Sequence, residues 1–395
     1  MALLTAQAQG ELRSDQRPET ELGFVPLVGG DTDIGIGVGF LGSLARVDPA
    51  VKPYRWRIES VAFISFKKTR DGPIGAPYQD IFVMATLPGL WGGRGRLELR
   101  PSHTRETNLR YYGVGNAAAA PDEKVPSRDF YGRVHPALAA RLRLRVAGPV
   151  HVSLGTSYAR NWISYDPAST LALDVQSSDP EVRSLVRVQQ NFGMHMVETG
   201  IDFDRRDDEI APERGQYHTA KVRVASGGSG AQPFEYVQAG VITRFYVPLA
   251  RGRLVLATRQ VVDGLFGAPP FYELGRFAED TSAIGGANGV RGVPSDRYLG
   301  KLKLFGNFEL RWTVKRLSIR RSEYTLGAVA FVDGGRVWTD FRSRPELDGT
   351  GLGLKVGAGG GLRLQKGRTF VIRADVAWSP DARPVGGYFL AGHLF

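Results

Sequence analysis

The sequence predicts an all-β protein, a 16-stranded antiparallel transmembrane β-barrel over residues 21–395, with 1–20 as a signal-peptide remnant or a disordered start. Three observations carry this. The stretch Lys301–Val314 alternates with a period of two: Lys301, Lys303, Asn307, Glu309, Arg311 and Thr313 share one face, and Leu302, Leu304, Phe308, Leu310, Trp312 and Val314 the other. One face is strongly apolar and the other carries full charges, as in a strand between lipid and water. Second, Gly is 50 of 395 residues and is spread along the chain rather than gathered in a linker. Third, hydrophobic content is 42%, yet no run of about 18 apolar residues occurs, which excludes helical spans but not strands that dilute each lipid-facing residue with a polar neighbour.

The elements follow in order. Ala6-Gln7-Ala8 resembles a signal-peptidase site, but no basic n-region precedes it, so the start is read as lying inside a longer signal peptide. Glu21–Gly29 is a first strand weakened by Pro26, which cannot donate to a ladder and belongs at an edge or seam. Asp33–Leu41, Tyr54–Lys67, Tyr78–Leu87 and Gly95–Thr104 follow, and 105–128 reads as loop. Arg141, Arg143 and Arg145 alternate with Leu142, Leu144 and Val146; the Gly148-Pro149 turn then leads to Val150, Val152 and Leu154. The span 164–190 is longer and more polar than a turn needs. Phe192–Phe203, Tyr217–Ala225, Phe234–Pro248 and Arg253–Asp263 precede a loop rich in Gly, and Glu323–Trp338, Gly351–Gln365, Thr369–Trp378 and Gly386–Phe395 close the count. Along 351–365, Gly351, Gly353, Gly357, Gly359 and Gly361 share a face. Two readings of these glycines stand: they leave room for another backbone to come close, or they relieve barrel curvature.

Composition limits the chemistry. The chain has no cysteine, which removes thiol catalysis and cysteine metal sites. The net charge of +11 does not point to nucleic acid, because the basic residues recur on one face of successive strands rather than in one patch. His103, His135, His151, His195, His218 and His393 show no metal-ligand spacing, and Ser102–His103 and His151–Ser153 do not converge as a nucleophile and base must. No enzyme, metal or cofactor is expected.

Several segments resemble one family. Val290-Arg291-Gly292, preceded by Gly285-Gly286 and followed by a strand with Glu309-Leu310-Arg311, resembles the signature of the BamA/TamA-like outer-membrane assembly factors, the bacterial surface antigen family. Phe331–Trp338 resembles that family's motif strand, Asp204–Asp207 with Pro212 and Gly215 its periplasmic turn, and Phe395 the aromatic of its C-terminal insertion signal. Tyr112–Asn116 is similar to a segment of members without periplasmic domains. Gly392, three residues before the end, departs from the expected glycine of the insertion signal. About 20 residues precede the first strand, too few for a POTRA domain, so the chain reads as a barrel-only member.

The resemblance implies that the extracellular loop with Val-Arg-Gly folds into the barrel and that Arg291 is locked to Glu309 and Asp333. Alternation independently puts Glu309 on a polar face and Asp333 opposite Val332 and Ala330; read without the family, the solvated loop arginine is the favoured reading of Arg291. The resemblance also implies a lateral gate between the first and last strands. It places the chain in the bacterial outer membrane, among lipids and lipopolysaccharide, with unfolded outer-membrane proteins or a separate periplasmic accessory protein as partners. The expected function is aiding insertion or transport of proteins or lipids there; the alternative is a passive, weakly anion-selective pore.

Overall fold

A computed structural model describes residues 19–48, 51–68, 73–119, 129–230, 232–319, 322–366 and 370–395; the expected signal-peptide remnant thus lies almost wholly outside the described residues. Sixteen strands form the wall, each antiparallel to its neighbour in sequence. They are β1 (Glu19–Asp31), β2 (Gly35–Asp48), β3 (Val51–Lys68), β4 (Tyr78–Gly89), β5 (Gly95–Arg110), β6 (Phe130–Ala147), β7 (Val150–Tyr165) and β8 (Asn191–Asp204). The second half is β9 (Gly215–Gly228), β10 (Pro233–Leu249), β11 (Leu254–Gly267), β12 (Leu302–Ile319), β13 (Ser322–Trp338), β14 (Lys355–Lys366), β15 (Phe370–Ser379) and β16 (Ala382–Ala391). A two-residue strand, Ile74–Gly75, also pairs with β3, and pairing of β1 with β16 closes the sheet on itself.

The period-two pattern sorts side chains as the two solvents require. On β12, Lys303, Phe305, Asn307, Glu309 and Arg311 are buried in the lumen, while Leu304, Phe308, Leu310, Trp312 and Val314 are exposed on the outside. The basic charge is likewise interior, with Arg57, Arg133, Arg223, Arg259, Arg336 and Arg363 all buried.

The two ends differ. One carries the long connections 111–129, 166–190, 268–301 and 339–354; at the other the longest is 205–214. The polar span 166–190 holds two short helices, α1 (Thr170–Val175) and α2 (Pro180–Leu185). Ser169 and Asp179 start them by accepting from the backbone N–H groups of Ala172 and Glu181.

Two expected strands end elsewhere. The strand expected over Gly351–Gln365 begins at Lys355, because Gly351 and Gly353 sit at φ +72° and +52°, left-handed positions that break a ladder. Those two glycines belong to the loop, not the wall. The last strand stops at Ala391 rather than Phe395: Gly392, at φ +84°, turns the chain away from its neighbour.

Closure is short. Thirteen residue pairs join β1 to β2, whereas β1 and β16 share two, Gly30 with Phe389 and Asp31 with Tyr388. Both lie at the long-loop end, beside the Thr32 N–H that donates to Gly387. Pro26 sits partway down β1, where it has no N–H to offer.

Candidate functional site: the buried loop and its arginine cluster

The connection 268–301 does not stand out in water. Phe271, Tyr272, Leu274 and Leu299 pack into an apolar cluster with Tyr111, Tyr131, Phe192 and Tyr236, which fills the lumen at the long-loop end. Deeper, Phe277, Ile284, Val290 and Val293 pack against Ile242, Val261, Phe305 and Val337 of the wall. Loop backbone cannot be buried without partners, and the wall supplies them. Asn307 donates to the Gly289 carbonyl at 2.8 Å, Arg259 donates to the Asn288 carbonyl, and Arg373 donates to the Ala287 carbonyl at 3.1 Å.

Arg291 lies at the centre of this burial, with none of its surface exposed. Its Nε and Nη2 donate to the two Asp333 oxygens at 2.7 and 3.0 Å, a bidentate fork, and its backbone N–H donates to the same carboxylate at 3.1 Å. Nη1 donates to Glu309 at 2.7 Å and to Asp375 at 3.2 Å, and the guanidinium lies 3.4 Å from the centre of the Phe331 ring. Glu309 also accepts from Arg311 at 2.8 Å, and Asp375 from Arg363 at 2.5 Å. Three guanidinium groups therefore meet three carboxylates contributed by β12, β13, β14, β15 and the loop.

The glycines around Arg291 make the approach possible. A Cβ on Gly357 would overlap the Arg291 carbonyl, so β14 must be bare there for the loop to seat. Gly359 and Gly361 face inward too, but a Cβ at either would meet neighbouring strand backbone or Asp375 rather than the loop. Of the two readings of the inner-wall glycines, close approach holds at Gly357. Gly292, at φ +89°, lies against the backbone of Trp378 and Ser379, and Gly285 and Gly286 are also in left-handed conformations beside Pro294 and Ser295.

Arg291, Glu309 and Asp333 are thus brought into direct contact, with Val290 buried beside them. Asp375, Arg363 and Phe331 belong to the same cluster, although the sequence reading assigned none of them to the lock. Asp375 and Arg373 do alternate with Val376 and Ala374 on β15, so the inward polarity was visible, but not the partner across two strands.

Phe395 is placed differently from expectation. Beyond Gly392 the chain enters the lumen, and Phe395 packs against Tyr246, Val255 and Ala257 of β10 and β11. Arg311 and Arg259 lie 5.1 and 5.3 Å from its ring, and Arg311 donates to its carbonyl at 2.9 Å. An aromatic ring beside two guanidinium groups gains a cation–π contact there.

This combination defines a class: a 16-stranded transmembrane barrel whose lumen is filled by one of its own loops, anchored through a buried arginine. The Omp85 superfamily domain matches residues 118–389, and the chain belongs to that superfamily. Its fold is similar to that of BamA from Haemophilus ducreyi lacking POTRA domains 1–3, at TM-score 0.59 and 13% identity, covering 96% of this chain and 71% of that one. It is also similar to CdiB from Escherichia coli, at TM-score 0.55 and 14% identity over 96% of this chain and 64% of that one. CdiB from Acinetobacter baumannii matches at TM-score 0.51 and 12% identity, over 94% of this chain and 59% of that one. Among curated proteins none matches the sequence.

Proposed function

We propose that this barrel works in the bacterial outer membrane as an assembly or translocation factor, without enzymatic chemistry, helping proteins or lipids into or across that membrane. The long-loop end faces outward and the tight-turn end the periplasm. The loop 268–301 is the plug, Arg291 its lock, and the β1–β16 seam the gate. The observation that carries the reading is the contrast between the two: the loop is held by a buried six-group ion cluster, while the wall closes through two residue pairs. Lipopolysaccharide and lipids are the surroundings of such a barrel; unfolded outer-membrane proteins, or an accessory protein from the periplasm, are its partners.

Planar-bilayer conductance of the barrel beside an Arg291→Ala variant tests this. A nearly closed parent and a variant that opens or becomes unstable is the expected result. Equal, large and anion-selective currents from both would replace the reading by a passive pore.

A further inference from the structure

The cluster around Arg291 balances three guanidinium groups against three carboxylates, and a fourth guanidinium stands beside it without a share. Arg373 is 2% exposed, and among the described residues no carboxylate lies within ion-pair distance of it. Its Nη2 donates to the Ala287 carbonyl and to the Asn288 side chain at 3.1 and 3.0 Å, but Nε and Nη1 have no hydrogen-bond partner among the described residues. Arginine does not give up its proton in proteins, so a buried one with free donors calls for an anion.

Arg373 borders a cavity of about 280 Å³ whose opposite wall is apolar. Leu27, Leu41, Val61, Phe63 and Phe82 line it from β1 to β4, and these residues form an apolar cluster on what should be the polar side of a barrel. Val28 and Phe389 line it as well, although both are exposed on the outside of the wall. The cavity therefore runs along the facing edges of β1 and β16 at the seam, next to the two residue pairs that close it. An apolar trough along the seam, with a cation outside any ion pair at its inner side, matches an amphiphile with an acidic head.

We propose that this cavity binds one acidic phospholipid from the membrane, its phosphate on Arg373 and an acyl chain along Leu41, Val61 and Phe82, with the seam as its path inward. The inference rests on the cavity and the free guanidinium, and not on the assembly reading. A client polypeptide strand would use the backbone edges of the seam and leave the guanidinium unanswered, which favours the lipid.

Photolabelling tests it. The full chain is reconstituted in phosphatidylcholine vesicles containing a trace of phosphatidylglycerol with a diazirine at the end of one acyl chain, irradiated, and mapped by peptide mass spectrometry. Label on Leu41, Val61 or Phe82 is expected. It should fall about tenfold with Arg373→Gln, or when the probe is phosphatidylcholine, the size of effect that loss of a charge-assisted hydrogen bond gives. Val61→Trp, which fills the cavity away from the loop, should abolish it while heat-modifiable migration shows the barrel still folded. Label confined to outward residues such as Phe24 and Phe40, or lumen label equally strong from both headgroups, overturns the proposal.

Discussion

The backbone N–H of Gly292 donates to the Tyr388 hydroxyl at 2.8 Å, tying the buried loop to the last strand of the wall. Three residues further on, Ser295 donates through its backbone and its hydroxyl to Asp33, at 2.9 and 2.8 Å, in the turn between β1 and β2. One loop thus holds both edges of the seam, and its departure would release both. Tyr388→Phe removes the acceptor and leaves a buried N–H unpaired, at a cost of about 1–3 kcal/mol. Lower stability in urea unfolding and more frequent current openings are expected, and unchanged gating would mean that the bond does not hold the loop.

Arg291→Ala strands three buried carboxylates facing Arg311 and Arg363 alone. Breaking a buried pair from one side costs about 3–5 kcal/mol. Arg291→Lys keeps the charge but not the fork on Asp333, so its stability should fall between those of the parent and the alanine variant in the same unfolding series.

Gly357→Val should unseat the loop, because its Cβ would occupy the place of the Arg291 carbonyl. Overpacking of this kind costs about 1–3 kcal/mol. Gly334→Ala is the control: a Cβ there meets its nearest neighbour, the Lys355 carbonyl, at 3.9 Å, an ordinary contact. Proteolysis of the loop should rise for the first variant only.

The seam can be closed covalently. The chain has no cysteine of its own, so Asp31→Cys with Tyr388→Cys introduces the sole thiol pair, at positions in register across β1 and β16, with the reduced form of the same variant as its control. The oxidised barrel should lose the proposed assembly activity and regain it on reduction. Full activity with the bridge in place would remove the seam from the mechanism.

The loop should loosen in acid. Desolvation alone would raise the pKa values of Glu279 and Asp280, but Arg244 and Arg259 hold the first below its ordinary value of 4.5, and Arg223 holds the second below 3.8. Arg223 meets Asp280 at 2.5 Å, and Arg244 donates to Glu279. A carboxylate lowered on folding adds stability that is complete above its unfolded pKa and lost as pH falls through the folded one. Current openings should therefore be independent of pH near neutrality and increase as pH drops below about 4.5. The increase should vanish in Glu279→Gln/Asp280→Asn, which is already loosened at neutral pH.

The sequence alone determined the strand count, the class of fold and the inward or outward sense of the alternating side chains of β12 and β13. Alternation is a local property, and lipid on the outer face of the wall enforces it there: Glu309 and Asp333 face the lumen while Phe308, Leu310 and Val332 face outward. It also placed Arg291, through its motif, close to two of the three carboxylates it meets. What local pattern does not encode is which inward groups face one another after the sheet closes. Asp375 joins the cluster from a strand 84 residues beyond Arg291, and Tyr388 and Asp33 meet the loop only because the chain's two ends come together. The inward course of Phe395, the two-pair seam and the unpaired Arg373 likewise follow from closure of the barrel around its loop, which brings together residues that no spacing along the chain relates.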